Sequence, residues 1–336
     1  MFFLKKFNLG NISVEPKEIG YGILGTVELP TGSKVDIPVI VINGIEKGPV
    51  FTVVAGVHGA EVSPIGGLLT AVKEIDPNSL KGTFIGVPGG NPLALMMGTL
   101  SSFIDGKNLS NYWWFNASAE GTITERIAYH IDKAIKKSNM IVDLHANQFP
   151  SMHFVEVDID TYADNKTRED TYKMAEAYGV TIIEAPVVDR PSTMRACATT
   201  IGIPALTAEV ISGSFLFEDI NKVGANGILN IMKSFGMLPG EVVKQPVEVM
   251  KGKFRKYGKL RSNKGGLMWI KKQVGELIQK GETVIEITDF HGRIVDEVKM
   301  PVTGYCWAFM GGIRGTYVVP EGQDLAFVFY DVSKVE

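Results

Sequence analysis

The sequence predicts an α/β protein: a mainly parallel or mixed sheet with helices on both faces, followed by an all-β C-terminal domain. Two patterns carry that expectation. Between residues 49 and about 240, short apolar runs rich in β-branched residues alternate with amphipathic stretches, as buried strands joined by helical crossovers do. After Met237-Leu238-Pro239-Gly240 the helical period disappears, and short apolar runs are separated by glycine-containing turns. A chain of 336 residues is long enough for two domains, expected over 1–245 and 246–336.

Each element has its own signal. Residues 1–48 read as short strands, with turns at Pro30-Thr31-Gly32 and Asn43-Gly44. Pro49 to Gly56 reads as a buried strand, and Ser63-Pro64 as the start of a helix that continues to Ile75, since proline is tolerated in the first turn. Thr83 to Val87 is the next strand. Over Thr122 to Ser138, Ile123, Ile127, Ile131 and Ile135 recur at four-residue spacing and mark one apolar helix face. Asn139 to His145 follows as a strand. A helix near 167–178, a strand over 180–184, a helix over 191–201, a strand over 204–209 and a helix over 217–236 complete the series. Beyond 246, Thr283 to Ile287 and Leu325 to Phe329 are strands of the β-rich, barrel-like domain.

Composition excludes several classes. With 34 Lys+Arg against 37 Asp+Glu, the net charge of −3 leaves no basic footprint for nucleic acid. Hydrophobic residues at 45% and charged residues at 21% are ordinary for a globular chain. Two cysteines, Cys197 and Cys306, cannot build a disulfide framework or a four-cysteine zinc site. No run approaches the roughly 18 apolar residues of a membrane span, and Met1 to Gly10 lacks the apolar core of a secretory signal. The expectation is a cytoplasmic protein acting on a small molecule, with no nucleic-acid or membrane partner and a homo-oligomer left open.

Only five histidines are present, and two directly follow buried-strand patterns: His58 in Gly56-Val57-His58-Gly59-Ala60-Glu61 and His145 at the end of Asp143-Leu144-His145. In sheets of this kind ligands bind at the carboxyl ends of the strands. Glu61 follows His58 by three residues at a strand-to-helix turn, so an imidazole and a carboxylate can converge on one ion, and His145 can close the set from another strand. Two histidines and one carboxylate, with a position left for water, is a catalytic zinc arrangement. The alternative for each residue is an ordinary polar strand end. Asp143 shares a strand face with His145 and is read either as orienting a neighbouring group or as a plain buried hydrogen bond.

His58-Gly59-Ala60-Glu61, Gly90-Asn91-Pro92, Asp105-Gly106-Lys107-Asn108-Leu109, Asp143-Leu144-His145 and Pro204-Ala205-Leu206-Thr207-Ala208-Glu209 occur in this order. The chain thereby resembles the succinylglutamate desuccinylase/aspartoacylase family, a zinc-carboxypeptidase-like group whose members commonly carry a C-terminal β-domain. The resemblance covers about residues 48–240. It implies that His58, Glu61 and His145 bind one zinc ion (Zn2+) per chain and that Glu209 is the general base and acid. The implied activity is that of a zinc-dependent amidohydrolase, a deacylase cleaving the amide bond of a small N-acylated amine or amino acid. The alternative is a catalytically weak metal-binding or ligand-sensing protein that retains the fold.

One departure stands out. The family's substrate-gripping arginine corresponds to Asn111, beside Asn108, and its upstream arginine roughly to Ser102. Asparagine donates a hydrogen bond but cannot form the charged, two-pronged clamp of arginine. Asn108 and Asn111 stay candidate substrate-binding residues, Arg195 and Arg126 are the candidate replacements for the arginines, and Tyr112-Trp113-Trp114-Phe115 either lines an apolar pocket wall or packs in the core. In the β-domain, Lys299 lies inside a strand rather than at a hairpin tip, which argues against a biotin-carrier role, and His291 is expected to cap the turn at Asp289-Phe290-His291-Gly292.

Overall fold

The computed structural model describes residues 5–114, 116–147, 151–185, 192–210, 215–250, 253–310 and 317–333. The chain begins with a small hairpin, β1 (Phe7–Leu9) and β2 (Ile12–Val14), and then two long antiparallel strands, β3 (Glu18–Glu28) and β4 (Lys34–Asn43). Those two are longer than the short strands expected before residue 48. The alternation follows: β5 (Glu46–Ala55), α1 (Ser63–Glu74), β6 (Lys81–Val87), α2 (Pro92–Met97), a 3-10 turn (Leu109–Asn111), α3 (Ile123–Ile135) and β7 (Met140–Ala146). Next come β8 (Phe154–Asp158), α4 (Asn165–Tyr178), β9 (Thr181–Ala185), α5 (Met194–Thr200), β10 (Ala205–Val210) and α6 (Glu218–Ser234). The strand β8 has no counterpart in the sequence reading. Residue 191, the expected start of the helix before β10, lies outside the described residues.

Eight of these strands stand in the order β3-β4-β6-β5-β7-β10-β8-β9. Strands linked through helices pair in parallel, as β5 does with β6 and β7, β7 with β10, and β8 with β9. β8 runs antiparallel to β10, and β3 to β4 to β6 likewise, so the sheet is mixed. One face packs apolar residues of α1, α4 and α6, among them Leu68, Met174 and Ile228. The opposite face packs Leu93 of α2, Ile127 and Ile131 of α3, and Met194 and Cys197 of α5. α3 begins where the sequence places it: Thr122 and Glu125 form a reciprocal capping box that satisfies two otherwise orphaned N–H groups. α1 and α6 approach closely because a Cβ on Gly67 would stand 3.2 Å from the Gly224 backbone.

The remainder is all β: β11 (Lys253–Arg261), β12 (Gly266–Ile270), β13 (Leu277–Ile278), β14 (Thr283–Thr288), β15 (Ile294–Lys299), β16 (Gly304–Phe309), β17 (Val318–Val319) and β18 (Asp324–Ser333). Four form a separate sheet, β15-β14-β12-β17, and the others extend the large sheet beyond β9 as β11-β18-β16-β13. Ile285, Ile287, Phe309 and Val328 fill the space shared by these strands. Trp307 of β16 is buried edge-on against Phe154 of β8, with ring centroids 4.8 Å apart, which ties this region to the α/β part. Lys299 ends β15 and is not at the tip. The tip turn is held by Asp289, whose carboxylate accepts the N–H groups of His291 and Arg293, while the His291 side chain is exposed. The cap is therefore the aspartate, because an acceptor is what two inward-turned N–H groups require. Among the described residues, no helix is long and apolar enough to cross a membrane.

Candidate metal site at the carboxyl edge of the sheet

His58 and Glu61 lie in the turn between β5 and α1, at the carboxyl end of a central strand. The backbone bends at Gly56, whose φ of +71° is a left-handed conformation that glycine adopts without cost. At Gly59 helix α2 approaches so closely that a Cβ would meet the Ala94 carbonyl, and the Gly59 N–H donates to the Thr99 carbonyl just beyond that helix at 2.8 Å. Asn91 anchors that segment by accepting the Ala94 N–H at the start of α2.

His145 stands near the end of β7, the parallel neighbour of β5, and meets the turn from the side. Glu61 lies between the two imidazoles: Oε1 is 2.6 Å from Nδ1 of His58 and Oε2 is 2.9 Å from Nδ1 of His145. The Ala146 N–H donates to the same Oε2 at 3.1 Å. Donor atoms of His58, Glu61 and His145 all fall within 4.8 Å of one another, so the three could hold a metal ion.

The outer nitrogens are also engaged. Nε2 of His58 lies 3.1 Å from Asn108 Oδ1 and 2.7 Å from Ser110 Oγ, and Nε2 of His145 lies 3.0 Å from Asp143 Oδ1. A metal ion would replace the protons that Nδ1 of His58 and of His145 donate to Glu61, with each Nε2 keeping its proton towards its outer neighbour, and a carboxylate behind a histidine is the usual support of a metal ligand. The donor set therefore fits a divalent ion that favours nitrogen and carboxylate ligands, as zinc does.

Electrostatics agree with this arrangement. Burial alone would raise the Glu61 carboxyl, but the charge on His145 and hydrogen bonds from both imidazoles outweigh it and hold the group down at about 2. Burial likewise works against a charged His145, and the carboxylates of Asp143 and Glu61 overcome it, raising its pKa well above the ordinary value. The cluster is built for positive charge at its centre.

Glu209 sits on β10 in direct register with His145, so the two stand side by side at the edge. The side-chain amide of Asn147 donates to Glu209 Oε2 at 3.0 Å. Asn147 and Ser110 were not anticipated from sequence. The other candidates are dispersed. Asn108 is drawn to the back of His58. Asn111 is exposed, and its carbonyl accepts from Asn116. Arg126 is exposed on α3, with Nε donating to the Gly121 carbonyl at 2.8 Å. Arg195 is buried, bonded to Glu156, Asp158 and Thr207. Ser102 is buried and accepts the Ile104 N–H. Trp113 is 1% exposed and joins the core beneath α3, with Tyr112 and Trp114 packed against that core, so these rings serve packing; Phe115 lies outside the described residues.

Comparison with known proteins agrees with the fold and the order of these motifs. The chain matches the model of the succinylglutamate desuccinylase/aspartoacylase catalytic domain over residues 47–235. No curated protein sequence matches the chain. Among solved structures, it is similar to a succinylglutamate desuccinylase/aspartoacylase from Rhodobacter sphaeroides, at 23% identity and a TM-score of 0.79, over 93% of this chain and 95% of that one. It is also similar to the product-bound ectoine utilization protein EutE from Ruegeria pomeroyi, at 20% identity and a TM-score of 0.83, over 96% and 98%. A third, an aspartoacylase family protein from Mesorhizobium loti, has 19% identity and a TM-score of 0.74, over 94% and 96%. At such identities these structures speak for the fold. With the family model spanning more than half of its length, the chain belongs to the succinylglutamate desuccinylase/aspartoacylase family.

Proposed function

We propose that the protein is a zinc-dependent amidohydrolase of the cytoplasm, a deacylase that cleaves the amide bond of a small N-acylated amine or amino acid. The observation that carries this reading is the convergence of His58, Glu61 and His145 beside Glu209, in a chain of this family. Zinc bound by the three residues supplies a water with its pKa lowered to about 7 and polarisation of the amide carbonyl. The chain's own residues do the rest. Asn108 and Ser110 hold the His58 ring, and Asp143 holds the His145 ring. Glu209, oriented by the Asn147 amide, takes a proton from the attacking water and returns it to the departing amine, a contribution of roughly 10²–10⁴-fold.

A second reading has a specific observation in its favour. Asn111 and Arg126 are exposed and Arg195 is engaged with two buried carboxylates, so of the residues expected to bind substrate only the uncharged Asn108 stands with the trio. A catalytically weak metal-binding or ligand-sensing protein would be built this way too. The test is metal analysis of freshly purified protein, followed by a panel of N-acyl amino acids and N-acyl amines assayed with zinc and with a chelator. Chelator-sensitive hydrolysis of any member supports the deacylase. Zinc binding without turnover across the panel supports the second reading, and protein without any divalent ion defeats the first.

A further inference from the structure

Beneath the row that holds His145 and Glu209 lies a second polar row. Across the sheet, Thr207 of β10 pairs with Asp143 of β7 on one side and with Glu156 of β8 on the other. Arg195 reaches into this row from α5. Its Nη1 donates to Glu156 Oε2 at 3.0 Å and to Thr207 Oγ1 at 3.1 Å, and its Nε donates to Asp158 Oδ1 at 2.9 Å. The Arg195 side chain is 8% exposed, and those of Asp158 and Asp143 are 2% and 4% exposed. Asp143 also contributes to the field that keeps the guanidinium charged, alongside Glu156 and Asp158.

We propose that Arg195 is a positioning residue for the metal site: clamped by Glu156 and Asp158 and bonded to Thr207, it fixes Asp143 behind His145. The inference rests on the metal reading above and gives a role to a residue that the sequence assigns to substrate. Two of its nitrogens serve fixed, buried carboxylates, so its position is set by the protein rather than by a ligand. Through Nε and Nη1 the guanidinium reaches three acceptors on two strands in different directions, a geometry that the point charge of lysine cannot reproduce. Thr207 and Asp143 are adjacent rungs of one ladder, so a shift of the arginine is passed to the aspartate that orients the ring.

The test measures zinc affinity by chelator competition, together with the visible absorption of the cobalt-substituted protein, in full-length Arg195→Met, Arg195→Lys, Asp143→Asn and the Arg195→Met/Asp143→Asn double variant. Circular dichroism and thermal melting establish that each variant is folded at the assay temperature. Arg195→Met is expected to weaken zinc binding by about 10–100-fold, the usual cost of losing outer support of a ligand, and to alter the cobalt spectrum. Arg195→Lys should fall between it and wild type. The double variant should bind zinc no more weakly than Asp143→Asn alone, because the arginine acts through the aspartate. Folded Arg195→Met with wild-type affinity and spectrum, or a double variant whose losses multiply, would overturn the inference. If Arg195→Met does not fold, Arg195→Lys with wild-type affinity and spectrum has the same force. Wild-type protein that takes up no zinc overturns the metal reading itself, and is told apart because the wild type, rather than a variant, fails.

Discussion

The carboxyl edge of the sheet and the helix α3 each bury a carboxyl group, and the two groups shift in opposite directions from the ordinary carboxyl value. Glu61, between two imidazoles and a backbone N–H, is held at about 2. Asp132 of α3, 1% exposed, is pushed up to about 7 by burial, which the charge of Lys136 and the Trp114 backbone only partly offset. Both groups suffer desolvation, so burial alone does not decide charge. Convergent donors do, and they occur where strand ends meet rather than along a helix flank.

Removing His145 should make the environment of Glu61 resemble that of Asp132. His145→Ala is expected to abolish stoichiometric zinc, read by elemental analysis, and with it any chelator-sensitive turnover. Retained zinc would mean that the trio does not hold the ion. Glu209→Gln keeps the size of a side chain that is not a ligand, so zinc content and folding should be preserved while turnover falls by roughly 10²–10⁴-fold. Near-wild-type turnover would remove Glu209 from the mechanism, and loss of zinc would make it a ligand. Asn108→Ala removes both the acceptor behind His58 and the cap of the 3-10 turn, where it accepts the Ser110 N–H at 3.0 Å, and should cost about 10–100-fold in zinc affinity or activity. If neither changes, Ser110 alone suffices to hold the ring.

The smallest effect belongs to the other side of the comparison. The folded pKa of Asp132, about 7, lies above the ordinary carboxyl value, so between about pH 4 and pH 7 the folded protein keeps a proton that the unfolded chain has lost. This group's contribution is fully present below that window, and stability falls as pH rises through it. Asp132→Asn should gain on the order of 1–3 kcal/mol over wild type between pH 4 and pH 8, measured by urea denaturation at both. A difference between the two proteins that does not change with pH would show that Asp132 does not titrate in this way.

Which parts could be read from sequence follows from how local their causes are. His58 and His145 stand out in the sequence because each follows an apolar β-branched run, Glu61 because it lies three residues beyond His58, and Glu209 only through the family resemblance; the topology brings all four to one edge. Asn108 has a partner that the sequence does not announce, the back of His58, a contact that depends on the segment after α2 folding onto Gly59. Ser110 and Asn147 have no signature outside that folded geometry. Strand β8 was missed because Phe154-Val155-Glu156-Val157-Asp158 carries two acids in a run that is buried on both faces. Those same acids explain Arg195. A helix before the Glu209 strand suggests an arginine in the cleft, and only the neighbouring strand supplies the carboxylates that draw it under the sheet.

The order of the large sheet also bears on how a nascent chain must handle its edges. β9 closes the α/β part, and β11, whose recorded pairing with it is Phe254 with Ile183 and Arg255 with Glu184, does not exist until some 70 residues later in synthesis. β18, which separates β11 from β16, is made later than both. Until then the β9 edge offers unpaired N–H and C=O groups to any other extended chain. A chain shortened before residue 246 would keep His58, Glu61, His145 and Glu209 while leaving that edge bare, and its first failing would be aggregation.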